Sequence, residues 1–122
     1  MIDFKTGTLF KLTKTAHTPR ELDALLIEGE EIIGTYTRLR DYVTFTNKRV
    51  IAVNVQGVTG KKKDYTSLPY SKVQAFSVET AGVFDMDSEL ELYFSSVGKI
   101  KFEFSGTSDI VAIGKIISQY IL

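Results

Sequence analysis

The sequence predicts a mainly β protein with α elements (α+β): a short N-terminal helix, about seven short antiparallel strands curled into a sheet or barrel, and a C-terminal α-helix plugging one end. Three observations lead there. Between residues 88 and 105, Leu90, Leu92 and Phe94 alternate with Glu89, Glu91 and Tyr93, and Ile100, Phe102 and Phe104 alternate with Lys99, Lys101 and Glu103. A period of two marks strands with one buried face. Residues 30–105 carry further strand-like runs, with turn signals at the ~8–12-residue spacing of small sheets and barrels. Finally, Ile110, Ile113, Ile117 and Tyr120 recur as one helical stripe, with Ile116 and Ile121 beside it.

Residues 1–17 contain Ile2, Phe4, Leu9, Phe10 and Leu12 without a clean period, and read as an ordered N-terminal arm. Thr18 then offers a cap, Pro19 fits the first helical position, and Glu21 can reach back to the cap amide. Leu22, Leu25 and Leu26 share a face and Gly29 is a stop, so residues 19–28 form a short amphipathic helix that must pack on something larger. Val43 and Phe45 alternate with Tyr42, Thr44 and Thr46, and Thr46-Asn47-Lys48 makes a turn into the strand-like run 49–55. Residues 56–63 are a glycine-containing basic loop. Residues 65–70 and 73–79 read as two more strands, and Pro69 belongs at a strand end or edge because it has no amide hydrogen to donate.

The two apolar sets of residues 88–105 must face one core, because a one-residue slip turns a whole set outward. A three-residue loop, Ser96-Val97-Gly98, satisfies that parity and places Gly98 where a left-handed residue is needed. In the last element Ser108 is the expected N-cap and Asp109 suits the positive end of the helix. Gly114 inside that helix costs ~1 kcal/mol against alanine and signals close backbone packing. The whole, residues 1–122, reads as one domain: arm and helix 1–29, strands 30–105, capping helix 108–121.

Composition narrows the chemistry. With 15 basic and 15 acidic residues the formal charge is zero, which argues against a nucleic-acid binder. The absence of cysteine excludes a disulfide scaffold, a thiolate metal site and a cysteine nucleophile. His17 stands alone, a surface or interface residue rather than a ligand or base. Asp85, Asp87 and Glu89 alternate, but Leu90 and Ser96 stand where a calcium loop needs glycine and a carboxylate. No catalytic set, metal site or cofactor is therefore expected, and the protein is read as not an enzyme. Residues 1–12 lack an apolar signal core, and no apolar run approaches the ~18 residues of a membrane span, so a cytoplasmic location is expected.

Two basic clusters are candidate anion- or lipid-binding sites. Lys61, Lys62 and Lys63 follow Gly57 and Gly60, so amides and ammonium groups can converge on a phosphate; the spacing is not that of a Walker loop, and a solvated hairpin loop is the plainer reading. Arg38 and Arg40 flank Leu39 beside Asp41, where an ordinary surface ion pair competes with any ligand. Charge is also unevenly placed. Residues 1–70 hold 11 basic and 8 acidic groups, and residues 71–122 hold 4 and 7, net charges of +3 and −3. Two oppositely charged sides suit head-to-tail stacking unless folding interleaves the halves.

Several strings, in this order, carry a family resemblance: Thr46-Asn47-Lys48-Arg49-Val50-Ile51, Gln56-Gly57-Val58-Thr59-Gly60-Lys61-Lys62-Lys63, Ser67-Leu68-Pro69-Tyr70-Ser71-Lys72-Val73, Ser77-Val78-Glu79-Thr80-Ala81-Gly82 and Asp87-Ser88-Glu89-Leu90. Together they resemble the bacterial pleckstrin-homology-like (PH-like) domains over nearly the whole chain. The resemblance implies a PH-like seven-stranded antiparallel barrel of two roughly orthogonal sheets closed by the C-terminal helix. It also implies assembly into rings, with no catalytic residue and no ligand to carry over. The helix at 19–28 is an addition relative to eukaryotic pleckstrin domains, in which a basic cluster near the first strand pair binds phosphoinositides; Arg38 and Arg40 are its nearest counterpart here. The expected function is thus a non-catalytic, homo-oligomeric scaffold or binding module. The alternative is weak contact with anionic membrane or phosphate ligands through residues 61–63.

Overall fold

Among the described residues, eight strands and one α-helix follow each other along the chain: β1 Thr8–Thr15, β2 Ile32–Arg38, β3 Asp41–Thr46, β4 Arg49–Gln56, β5 Lys62–Pro69, β6 Val73–Glu79, β7 Ser88–Phe94, β8 Gly98–Phe104 and α1 Ile110–Ile121. The structure, a computed structural model, describes residues 1–84, 86–106 and 109–122, and for Thr8 and Phe10 the backbone alone. The expected cap Ser108 and the acidic residue Asp85 lie outside the described residues.

The strands form one sheet in the order β5-β4-β3-β2-β1-β8-β7-β6, with β5 and β6 as its edges. The sheet is open and eight-stranded, not the closed seven-stranded barrel that was expected. The eighth strand is β1, Thr8–Thr15, from the segment expected to be an ordered N-terminal arm. Its period is hidden because it serves two partners in turn. Thr8, Leu9 and Leu12 pair in parallel with Lys101, Phe102 and Phe104 of β8. After a bulge, Thr13, Lys14 and Thr15 pair antiparallel with Thr37, Tyr36 and Thr35 of β2. Lys11 turns the strand at that bulge with φ +53°. Gly7 leads into it against β8, where its carbonyl accepts the Lys101 amide at 2.7 Å; a Cβ there would lie 2.9 Å from the Lys99 carbonyl oxygen.

The parity argument for residues 88–105 holds. Leu90 pairs with Phe102 and Leu92 with Ile100, and all the expected inward side chains are buried. Phe94 pairs with Gly98, so the intervening loop is residues 95–97, one residue earlier than expected; Gly98 has the positive φ expected of it, +111°, and Ser96 takes the left-handed conformation at φ +76°. On the outer face Lys101 and Lys99 reach diagonally to Glu89 and Glu91 at 3.7 and 3.6 Å. The main core centres on Phe45, whose ring meets Phe102 at 5.6 Å and Tyr36 at 5.9 Å, while Tyr36 meets Phe104 at 4.7 Å. Helix α1 closes this core with Ile110, Ile113 and Ile117. It begins at Ile110 with Asp109 as its N-cap residue, later than the expected 108. Gly114 lies so close to β6 that a Cβ would stand 3.0 Å from Val78 Cγ2.

The expected N-terminal helix is only a five-residue turn of 3₁₀ type, Arg20–Ala24. The predicted cap fails because both of its side chains are drawn elsewhere. The Thr18 hydroxyl bonds the Thr35 hydroxyl at 2.6 Å, and Glu21 accepts from the Tyr42 phenol at 2.8 Å and pairs with Lys63. The turn does pack on something larger, as its pattern demanded. Leu22 is fully buried on the outer sheet face against Tyr42, Ile51 and Val53, with Leu26 and Tyr65 beside them. Leu25, the third member of the expected stripe, is 38 % exposed. Coverage of both faces explains why β3 and the first half of β4, Val50 to Val53, are buried at consecutive positions rather than at alternate ones.

Candidate functional site

The β3–β4 turn is a clamp. The Asn47 amide and side chain bond the Glu31 carbonyl and the Gly29 carbonyl, each at 3.0 Å, and Asn47 Oδ1 accepts the Glu31 amide at 2.8 Å. Arg49 donates from Nε to Glu30 Oε2 at 2.9 Å and from Nη2 to Glu30 Oε1 at 3.0 Å, and also bonds the Leu25 carbonyl at 2.6 Å. The Glu30 side chain is wholly buried. Burial pushes its carboxyl up, but hydrogen bonds from Arg49, Thr46 and the Ile27 amide outweigh that and hold it below the ordinary 4.5. Thus Thr46-Asn47-Lys48-Arg49, a string that carried the resemblance, ties residues 25–31 onto the sheet.

At the open end, away from α1, the β2–β3 turn meets the β4–β5 loop. The five candidate cations separate here into two groups. Arg40 donates to the carbonyls of Gly57 at 2.7 Å and Val55 at 3.3 Å, so it is a strut between the two loops. Lys63 is paired with Glu21, which raises the ammonium pKa and, together with the Tyr42 hydrogen bond, lowers that of the carboxyl. Burial first, and Glu21 second, push the Tyr42 phenol well up, so it remains a neutral donor. Arg38, Lys61 and Lys62 are exposed, and among the described residues none of them forms an ion pair. Two apolar tips accompany them: Leu39, 94 % exposed, and Val58, wholly exposed. Sequence reasoning passed over both tips, although an isolated aliphatic residue amid turn residues is a legible signal.

A cavity of about 350 Å³ opens beside these loops, its lining both apolar, with Leu9, Leu12 and Val43, and charged, with Arg38, Asp41 and Asp64. Its carboxylates are engaged: Asp41 accepts the Val55 amide at 2.8 Å and Asp64 accepts the Thr66 hydroxyl at 3.2 Å. Among the described residues no group of three or more His, Asp or Glu could hold a metal ion. No helix of the described residues is long and apolar enough to cross a membrane.

The family model described as "Bacterial PH domain" matches residues 3–121. Among curated proteins, the chain is 48 % identical over 81 residues to the uncharacterized protein YjqA of Bacillus subtilis, covering 66 % of this chain and 65 % of that protein, just under two thirds of its length. It is 33 % identical over 102 residues to the uncharacterized protein YozO of the same organism, covering 84 % and 88 % of the two chains. A DUF1696 family protein with a pleckstrin-homology domain from Shewanella loihica superposes with a TM-score of 0.73 at 38 % identity, covering 92 % of this chain and 98 % of the other. A pleckstrin homology domain from Shewanella amazonensis gives 0.59 at 45 %, covering 84 % and 83 %.

Proposed function

We propose, from the premise that this chain belongs to the bacterial PH domain family, that it is a non-catalytic scaffold that works by associating with further copies of itself. The observation that carries this reading is the separation of charge along the open sheet. Residues 1–70 build β1 to β5 and carry the net charge of +3; residues 71–122 build β6 to β8 and α1 and carry −3. The strand order keeps the two sets apart instead of interleaving them. A surface of one sign on one half of a sheet and of the other sign on the other half attracts a second copy head to tail, and such contacts close into a ring when the rotation permits. Light scattering at micromolar concentration and low salt is expected to give a mass of several protomers, falling as salt screens the attraction. A strict monomer of 13.7 kDa under those conditions overturns the proposal.

The open end supports a second reading, contact with an anionic membrane. Leu39 and Val58 are bare apolar tips close in the chain to the exposed cations Arg38, Lys61 and Lys62. Each such cation contributes ~1 kcal/mol near an anionic leaflet, so one copy binds weakly and an assembly gains by avidity. Vesicles containing phosphatidylserine are expected to sediment the protein and phosphatidylcholine vesicles to leave it in solution. Lys61→Ala with Lys62→Ala should weaken binding by about tenfold or more, whereas Lys63→Ala, which removes a cation already held by Glu21, should weaken it far less. Equal binding to both vesicle types, or none, rules the reading out.

A further inference from the structure

The β6–β7 loop presents large apolar side chains to solvent: Val83 is 87 % exposed, Phe84 fully so, and Met86 63 %. Lone exposed apolar residues are ordinary, but three of this size within four positions mark an interaction surface. The same chain carries an apolar groove of about 360 Å³ along the edge of β5, lined by Phe4, Leu68, Pro69, Phe94 and Val97. It runs between β5 and the β7–β8 hairpin, and Phe4 meets Phe94 edge-on at 6.5 Å within it. Being fully exposed, Phe84 does not occupy the groove of its own chain.

We infer that Phe84 of one copy, flanked by Val83 and Met86, seats in the β5 groove of a second copy. The inference rests on the self-association reading and names its contact. Charge supports a second copy as the occupant. The stretch from Glu79 to Asp87 holds three acidic residues and no basic one, while exposed Lys5 and Lys72 lie close in the chain to Phe4 and Pro69 of the groove; Lys99, beside Val97, is paired with Glu91, Asp3 adjoins Phe4, and Asp64 closes one end. An apolar side chain seated in a groove also suits β5 better than strand addition, because Lys62, Lys63 and Pro69 blunt that edge against pairing. Loop and groove are different surfaces, so the contact is heterologous and propagates from copy to copy.

Two variants test it, read by sedimentation equilibrium alongside wild type. Phe84→Ser removes the knob at a fully exposed position, and Val97→Glu puts a charge at the groove rim, where Val97 is 54 % exposed. Each alone is expected to weaken assembly by about tenfold or more while leaving the circular dichroism spectrum and melting curve unchanged. Phe84→Leu, which keeps an apolar knob, is expected to retain assembly. Mixing Phe84→Ser with Val97→Glu leaves one intact knob and one intact groove per pair, and is expected to give 1:1 dimers and nothing larger. If wild type assembles and Phe84→Ser assembles equally, or the mixture yields no dimer, this contact is wrong although self-association stands. If wild type is monomeric, both fall together.

Discussion

Phe102→Ala is expected to cost about 3–5 kcal/mol of folding stability, measured as a lower urea midpoint by circular dichroism. The Phe102 side chain is completely buried at the meeting point of three strands, paired to Leu9 of β1 and Leu90 of β7, with its ring 5.6 Å from Phe45. Its removal therefore opens a cavity where the two parts of the sheet join, and neither rigid strand can collapse into it. Domains of this size hold only ~5–15 kcal/mol in total, so the variant should be marginal at 37 °C. Phe84→Ala, the same change at a fully exposed position, is the control, expected to move stability by less than about 0.5 kcal/mol. A loss under 1 kcal/mol for Phe102→Ala contradicts the assigned core.

The second large effect is expected at Glu30. Glu30→Ala removes a buried carboxylate that holds Arg49, Thr46 and the Ile27 amide, and should cost about 3 kcal/mol because those donors lose their acceptor. Glu30→Leu combined with Arg49→Met should cost less than Glu30→Ala alone, since no guanidinium is then left without its carboxylate and only the Thr46 hydroxyl and the Ile27 amide lose an acceptor. The pH dependence has a defined sign. The folded-state pKa of Glu30 lies below the unfolded value near 4.5, so its contribution is complete above that pH and is lost as pH falls through the folded value. Glu21, lowered first by its bond to Lys63 and then by Tyr42, acts in the same direction. Acid titration followed by circular dichroism should therefore show wild type losing stability below pH 4.5, and Glu30→Leu/Arg49→Met losing less over that range. Equal acid sensitivity of the two proteins excludes the clamp as its source.

Much of the strand region was legible because its signals are local. The alternation from Leu90 to Phe104 places those side chains inside whatever else the chain does, and the two-residue turn after Thr46 appears where its residues require. The family strings were legible for the same reason, though the first of them, read as a mark of kinship, acts through Asn47 and Arg49 as a clamp. The candidate cations were legible only as residue types. Nothing near Lys63 in the sequence points to Glu21, and nothing near Arg40 points to the carbonyls of Val55 and Gly57. The capping box at Thr18 was a sound local inference that lost to distant partners: each of its side chains gains a sheet-held mate, and a ten-residue helix standing alone is marginal in water.

Side-chain parity along a hairpin and the helical stripe of α1 are properties of neighbouring residues, and the amino-acid order alone decides them. The role of β1 is a different matter. Leu9 and Phe102 are far apart in the chain, and a strand shared between a parallel and an antiparallel partner, bent at Lys11, keeps no period that a short window can detect. Which cations stay free for a ligand, which edges remain open and whether the two charged halves separate are likewise set by contacts between distant residues, because each depends on a partner brought near only when the whole core condenses.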